Sequence, residues 1–323
     1  MRPILTIAIP TWNRAEILNQ SLERLFPQLR ENQLLIEVII SDNASTDNTY
    51  NVVVENIRKF RLTNVKYRRN ENNIGHYGNY RMCRKHSIGE YLWLLSDDDH
   101  VKPGIINEIL IALQDEKKPG GVYLDGWGRT DKRLDEKYHN RQISIDEIFV
   151  LQNIRPTLLS STIFLNNKDF DKNIEDRFNN SAFLCLSYFV NTKRFNDRIT
   201  VLCSPSLEAK KDTQHTYNWF KSFVEELGEI YVFMHELGFH SNSVINLANE
   251  ALKMIVTQYI ETAHSVDAKK DLCAIKIRVS KVYSRNINYY KYFIPASIVP
   301  IKLLVFAYDR LKHTNNNDAK NKN

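Results

Sequence analysis

Short apolar runs and helical stripes alternate along residues 1–125. Ile4–Ile9 (ILTIAI) is apolar and rich in β-branched residues, the signature of a buried strand. Leu18, Leu22, Leu25, Phe26 and Leu29 then fall on one face of a helix, which Pro27 is expected to kink or shorten. Ile36–Ile40 (IEVII) predicts a second strand. A helix through Phe60 follows it, with Ser45 as the expected N-cap and Asp47 in the first turn. Asn64–Arg69 reads as a third strand, Tyr80–Ser87 as a short helix, and Tyr91–Leu95 as a fourth strand running into SDDDH. Pro103 opens a helix with Ile105, Ile106, Ile109, Leu110 and Leu113 along one face, and Gly121–Trp127 is a further strand.

This β-α-β-α-β series predicts an α/β fold, a largely parallel central sheet with helices on both faces. In such sheets ligands bind beyond the carboxyl ends of the strands. Those ends carry Pro10–Arg14, Ser41–Asp47, Asn70–Gly75 and Ser96–His100, so the polar residues gather on one rim. Farther along, Thr130–Asn140 reads as a charged surface loop, and Thr157–Leu165 and Arg198–Cys203 as strands. Helices are expected around Ala182–Val190, Tyr217–Glu226 and Val244–Tyr259. No internal repeat is visible.

Composition adds little except at one end. The 323 residues, 43% hydrophobic and 25% charged, are those of a soluble globular protein with ample core. The first apolar run is interrupted by Pro10, too early for a signal peptide or a span, so a cytoplasmic chain is expected. Cys83, Cys185, Cys203 and Cys273 lie far apart without CxxC pairing and read as free thiols. Residues 261–323 hold 12 Lys and Arg against 5 Asp and Glu, whereas the rest of the chain is nearly balanced. Within that basic end, the run from Phe293 to Ala307 carries Lys302 and is broken by Pro295 and Pro300. It is too short to span a bilayer; the expectation is peripheral contact with an anionic inner leaflet, against the alternative of a helix packed on the preceding domain. The last stretch, HTNNNDAKNKN, is expected to be disordered. The basic residues are not interleaved with a nucleic-acid reader motif, so no nucleic acid is expected.

The chemistry rests on the triplet Asp97, Asp98 and Asp99. There is no GxxxxGK[ST] loop, no GxGxxG after the first strand, no HExxH and no GxSxG. Three adjacent carboxylates repel one another and call for a counter-charge. Hard oxygen ligands of this kind suit Mg²⁺ or Mn²⁺, usually held by one or two carboxylates plus substrate phosphates. By spacing alone, Asp97 and Asp99 would share a face if the strand continued, a DxD arrangement.

In order and spacing, AIPTWNR, EVIISDNASTDNT, NNIGHYGN and GEYLWLLSDDD resemble the stations of family 2 glycosyltransferases of the GT-A fold. The resemblance covers residues 3–125 and is nearest to the abequosyltransferase-like, O-antigen branch. It implies a GT-A sheet, here with a helical basic C-terminal extension. It divides the chain into a transferase domain over 1–230 (nucleotide-binding half 1–125, acceptor half 126–230), an extension over 231–312 and a tail over 313–323. It implies a nucleotide diphosphate sugar donor, a glycan or lipid-linked acceptor, and Mn²⁺ or Mg²⁺ as cofactor.

The implied pocket comprises Pro10, Thr11, Asn13, Asp42, Asn73 and Gly75, with Asp42 accepting a hydrogen bond from the base. The alternative for Asp42 and Asp47 is simple helix-start chemistry. Asn43 stands where the family usually keeps a second Asp, and Ala44 where it keeps Gly. Register against the family leaves Ser96 at the first acidic position of the fourth station and pairs Asp98 with Asp99. Spacing and register thus disagree over Asp97 and Asp98, and both retain Asp99 as the metal ligand. The remaining Asp97 or Asp98 would face the ribose or a metal-bound water. For an inverting reaction the base candidates are Glu175 and Asp176, with Asp125 as another. Glu208–Phe220, containing Lys210, Lys211, His215 and Trp219, reads as a lid or as an ordinary helix start. Arg68, Arg69 and Arg81 read as solvated cations, and Tyr77 and Trp93 as packing residues. The competing functions are a sugar-1-phosphate nucleotidyltransferase, whose GxGxR loop PTWNRAE lacks, and a non-catalytic nucleotide- or glycan-binding subunit.

Overall fold

The computed structural model describes residues 2–125, 134–152, 159–166, 172–203, 207–209, 222, 226–262 and 279. The chain forms two compact units, Met1–His215 and Thr216–Asn323.

In the first unit β1 (Leu5–Thr11), β2 (Ile36–Asp42), β3 (Val65–Arg69) and β4 (Tyr91–Leu94) are interleaved with α1 (Ala15–Leu25), α2 (Thr49–Phe60) and α3 (Gly75–His86). After them come β5 (Asp99–Val101), α4 (Ile105–Leu113), β6 (Gly121–Leu124), β7 (Gln142–Ser144), α5 (Ile145–Gln152) and β8 (Thr162–Leu165). The unit continues with α6 (Lys172–Arg177), α7 (Leu184–Asn191), β9 (Arg198–Leu202) and β10 (Leu207–Ala209). Eight strands make one sheet in the order β3-β2-β1-β4-β8-β6-β9-β7. The run from β3 to β4 is parallel, as is the β6–β9 pair, while β8 lies antiparallel between β4 and β6 and β7 antiparallel on β9. The α/β architecture expected from the sequence is therefore present, with antiparallel strands in its second half.

The core follows from the pleat. Leu5, Ile7 and Ile9 alternate along β1 into one cluster with Leu18, Leu22 and Leu25 of α1 and Ile105, Ile106 and Ile109 of α4. Each such side chain, fully removed from water, stabilises the fold by about 1.5–3 kcal/mol before entropy is counted. On the opposite face of the pleat, Thr6 donates to Glu37 at 2.7 Å, and Lys66 pairs with the same carboxylate at 2.8 Å. Trp93 is fully buried, as expected of a packing residue.

Several elements depart from the pattern reading. The first helix ends at Leu25 and tightens into a 3-10 segment, Phe26–Asn32, with Pro27 in its first turn. The third helix begins at Gly75, five residues before Tyr80, because the turn ahead of it is already held by side-chain amides described below. Strands β5 and β7 and helix α5 lie where no strand or helix was expected; β5 and β7 are three residues each, too short to show a period. The strand expected over Thr157–Leu165 starts at Thr162, after a 3-10 turn at Leu159–Ser161. Cys83, Cys185 and Cys203 are buried free thiols.

The second unit contains helices Leu227–Glu236 and Ser241–Thr262. Among the described residues no helix is long and apolar enough to cross a membrane. The helix expected over Tyr217–Glu226 lies outside the described residues except at Ser222 and Glu226. The lid beyond Ala209, Cys273, the run Phe293–Ala307 and the tail also lie outside them.

Candidate functional site

Parallel register brings four strand ends to one rim. Pro10 pairs with Ser41 and Thr11 with Asp42, so the loops after β1 and β2 leave the sheet side by side. Asn13 latches them. Its backbone has φ +51°, its N–H donates to Ser45 Oγ at 2.8 Å, and its Oδ1 accepts the Thr46 N–H at 2.7 Å. Ser45, expected to cap α2, is spent on this latch. The N-cap position of α2, Asn48, makes no side-chain capping bond; Asp47 before it accepts from the Thr49 N–H (3.1 Å) and from the Ala15 N–H at the start of α1 (2.9 Å). Burial would raise the Asp47 carboxyl, but the hydrogen bonds from Thr49 and Ala15 outweigh it and hold it below the usual carboxylate range.

The next part of the rim is built mainly from amides around one buried acid. Asp42, 1% exposed, accepts the Ser45 N–H at 2.9 Å and the Tyr67 hydroxyl. Burial, and then this bond to Asp42, raises the Tyr67 hydroxyl well above its ordinary value. Asn43 uses both ends of its side chain. Its amide nitrogen donates to Asn73 Oδ1 (2.8 Å) and to the Gly75 carbonyl (3.1 Å), and its oxygen accepts from Asn70 (3.0 Å) and the Ile74 N–H (3.1 Å). A carboxylate could accept but could not make the two donations. The departure from the family's Asp thus has a structural use. Asn73 Oδ1 also accepts the Gly75 N–H at 2.9 Å, closing a turn in which Gly75 has φ +75°. Buried Asn79 ties this turn to β2 through the Ser41 hydroxyl (2.6 Å) and carbonyl (2.8 Å). Ala44, in place of the family's Gly, sits at φ +63°, a left-handed conformation that costs a residue bearing Cβ about 1–2 kcal/mol.

The acidic triplet follows β4 and is held from three sides. Arg14, the residue before α1, spans two of the acids: Nη1 meets Asp97 Oδ1 at 2.5 Å and Nη2 meets Asp98 Oδ2 at 2.8 Å. Thr11 donates to the other Asp97 oxygen at 2.8 Å, and Ser96 donates to Asp98 Oδ1 at 2.6 Å. Asp99 lies on β5, which pairs antiparallel with β10, and its Oδ2 accepts from Ser160 at 2.5 Å. Ser160 is fully buried; its Oγ also takes the Ser96 N–H and its carbonyl takes the Trp93 indole N–H.

Burial sets the electrostatics. It pushes Asp97 up to about 6 against the opposing charge of Arg14, and Asp99 up to about 7 against the Ser160 hydrogen bond. In Asp98 the same burial is outweighed by bonds from Ser96 and Arg14, and its carboxyl lies below the usual range. Burial would lower Arg14, yet the charges of Asp97 and Asp98 hold it above its ordinary value.

The sequence-predicted residues therefore separate into two groups. Thr11, Asp97, Asp98 and Asp99 form one connected cluster, and Asn13, Asp42, Asn73 and Gly75 form the adjoining loops. Of the base candidates, Glu175 and Asp176 are on α6, whereas Asp125 follows β6, which runs parallel to β4 across β8 and so ends on the same rim. Glu175 on α6 pairs with buried Arg84 at 2.7 Å and accepts the Tyr188 hydroxyl at 3.2 Å, and Arg84 stacks 4.3 Å over the Tyr188 ring. Asp176 is exposed. Neither is hydrogen-bonded to the triplet. Asp125 accepts the Leu134 N–H at 2.6 Å. Arg14 and Ser160 escaped pattern reading. Arg14 is the last residue of the station AIPTWNR and could have been weighed as the counter-charge; nothing in the pattern around Ser160 marks it.

A divalent ion can be tested against these donors. Among the described residues no group of three or more His, Cys, Asp or Glu is arranged to hold a metal by itself. Asp99 retains Oδ1 without a hydrogen bond among those residues, and the oxygens of Asp97 and Asp98 are engaged by Arg14, Thr11 and Ser96. Hard carboxylate donors in this number fit Mg²⁺ or Mn²⁺ completed by phosphate oxygens.

Residues 6–184, more than half of the chain, match the family model described as glycosyl transferase family 2. The chain belongs to glycosyl transferase family 2. Among curated relatives it is 29% identical over 212 residues to an abequosyltransferase of Salmonella typhimurium, covering 58% of this chain and 61% of that protein. It is also 30% identical over 109 residues to a GalNAc(5)-diNAcBac-PP-undecaprenol beta-1,3-glucosyltransferase of Campylobacter jejuni, covering 33% of this chain and 34% of that one. The family 2 chain thus matches less than two thirds of the length of these relatives. Among solved structures, residues 1–349 of S. aureus TarS in complex with UDP superpose with a TM-score of 0.66 at 16% identity, over 96% of this chain and 92% of that one. A mannosyltransferase from Pyrobaculum calidifontis, in complex with GDP-Man and Mn²⁺, gives 0.53 at 15% identity, over 92% and 87%. At such identities the likeness is one of fold.

Proposed function

We propose that this family 2 chain is a metal-dependent glycosyltransferase that moves a hexosyl or deoxyhexosyl group from a nucleotide diphosphate sugar to a hydroxyl of a glycan or lipid-linked oligosaccharide. The observation that carries this reading is the acidic triplet after β4, with Asp97 and Asp99 buried and Asp98 half-buried, on the same rim as the Asp42 and Asn13 loops. Asp42 takes the nucleobase as hydrogen-bond acceptor, in an orientation held by Tyr67 and the Ser45 N–H. Pro10, Thr11, Asn13, Asn73 and Gly75 shape the nucleotide pocket. Asp99, with Asp97 or Asp98, would hold Mn²⁺ or Mg²⁺, which when bound stabilises the negative charge on a leaving diphosphate. Inversion needs a carboxylate that accepts the acceptor's proton; Glu175 and Asp176 remain the proposed candidates.

Similarity to the abequosyltransferase and to the enzyme named for an undecaprenol-linked glycan supports a place in bacterial surface polysaccharide synthesis, O-antigen or capsule. In this reading residues 1–230 are the transferase domain. The basic segment within 231–312 touches the cytoplasmic face of the inner membrane.

The test is incubation with a panel of nucleotide sugars, with and without Mn²⁺, followed by release of nucleoside diphosphate. Metal-dependent release is expected with at least one donor. A non-catalytic binding subunit would release none above background, and that outcome would overturn the proposal.

A further inference from the structure

Three adjacent acids need a counter-charge, and in this structure the chain supplies it. Arg14 bridges two different carboxylates with two different nitrogens, at 2.5 and 2.8 Å, in a setting where Asp97 is 3% exposed. A pair this close to burial is far less screened than one on an open surface. Arg14 sits at the hinge between the β1 loop and α1. Its own side chain is 31% exposed, against 4% for Asp97. Asp99 is held differently, by the neutral hydroxyl of Ser160, and keeps an oxygen uncommitted.

We propose that Arg14 is a built-in stand-in for the divalent cation: it neutralises Asp97 and Asp98 while the site holds no metal, and it must leave at least one of them when metal enters. The proposal rests on the metal-dependent reading of this site. Arg14 is accordingly a positioning residue whose ion pairs compete with the metal. Two positive charges cannot both bind the same carboxylate oxygens closely, because at contact distance their mutual repulsion opposes it. Metal affinity is therefore set by the difference between what the acids gain from the ion and what they lose with Arg14. Removing the guanidinium should raise affinity for free metal even though it removes stabilising bonds from the metal-free protein.

The experiment measures Mn²⁺ binding alone, without nucleotide, by calorimetry on the full chain, for the unaltered protein, Arg14→Gln and Arg14→Lys. Arg14→Gln should bind Mn²⁺ about tenfold more tightly or better. Arg14→Lys, which keeps the charge but cannot span two carboxylates in a planar fork, should fall between. Thermal unfolding gives a second readout. Metal-free Arg14→Gln should melt below the unaltered protein, and Mn²⁺ should raise its Tm by more than it raises that of the unaltered protein. Equal or weaker Mn²⁺ binding by Arg14→Gln, or no binding by any of the three proteins, would overturn the proposal. If Arg14→Gln proves unfolded, Arg14→Lys decides alone: tighter binding than in the unaltered protein supports the proposal, and equal or weaker binding overturns it. Donor hydrolysis by the unaltered protein in Mn²⁺ is read separately, so failure of the counter-charge proposal is distinguishable from failure of the transferase reading.

Discussion

Two stretches of the same rim solve burial in opposite ways. After β4, Asp97, Asp98 and Asp99 put charge where water is scarce, and Arg14, Thr11, Ser96 and Ser160 hold it in place. After β2, Asn43, Asn70, Asn73 and Asn79 are neutral, and they are bonded to one another, to the Ser41 hydroxyl and to the backbone. A neutral network satisfied in place resists change, since any rearrangement leaves a buried group unpaired. A charged cluster balanced by one guanidinium can exchange that cation for another. The lesson is a division of labour: the amides hold the loop geometry, and the acids hold exchangeable charge.

The comparison makes unequal demands on mutation. Asp99→Ala should cut transfer by about a hundredfold or more while the protein still unfolds cooperatively; undiminished turnover would break the assignment of the charged half to chemistry. Asn43→Asp should do the reverse, costing about 2 kcal/mol in urea unfolding, since two donations are lost and two acceptors are left facing a carboxylate. A neutral result there would mean that the amide network does not depend on its central donor.

pH separates the halves without mutation. Asp97 and Asp99 have folded values raised to about 6 and about 7 from 3.8, so the native state keeps protons that the unfolded chain has already lost. Stability of the metal-free protein should then fall as pH rises from about 4 through both folded values, by roughly 4 kcal/mol between pH 5 and pH 8. Saturating Mn²⁺ should flatten that slope. The amides do not titrate and contribute nothing to it. The smallest effect belongs to Ala44→Gly, which relieves a positive φ and should stabilise the fold by about 0.5–1 kcal/mol, partly offset by the freer unfolded chain. Destabilisation there would show that the Ala44 methyl has a packing role beyond its backbone.

Much of the first unit was legible from periodicity. Strands β1, β2 and β4 are buried, and a nearly continuous apolar run, broken only by the paired Thr6 and Glu37 before the rim, is what such strands require. The four rim stretches were legible too, because parallel strands place their carboxyl ends together. Short pieces were not. Strands β5 and β7 have three residues each, and their existence depends on partners more than 50 residues away, β10 and β9. Ser45 reads as the cap of α2, but its hydroxyl accepts from Asn13 and the helix opens later, at Thr49 behind Asn48.

The sequence by itself determined that a strand would deliver three acids to a rim shared with the Asp42 loop, because strand burial and chain order are local properties of the pattern. It also determined that those acids would need a cation. Which cation the folded chain offers was decided only in three dimensions. Arg14 is more than 80 residues from its partners and Ser160 is 61 from Asp99. No period or spacing joins such positions; they meet because β1 and β8 flank β4 in the sheet. The same packing treats Asp97 and Asp98 alike, Arg14 taking one oxygen from each, while among the described residues Asp99 Oδ1 makes no hydrogen bond.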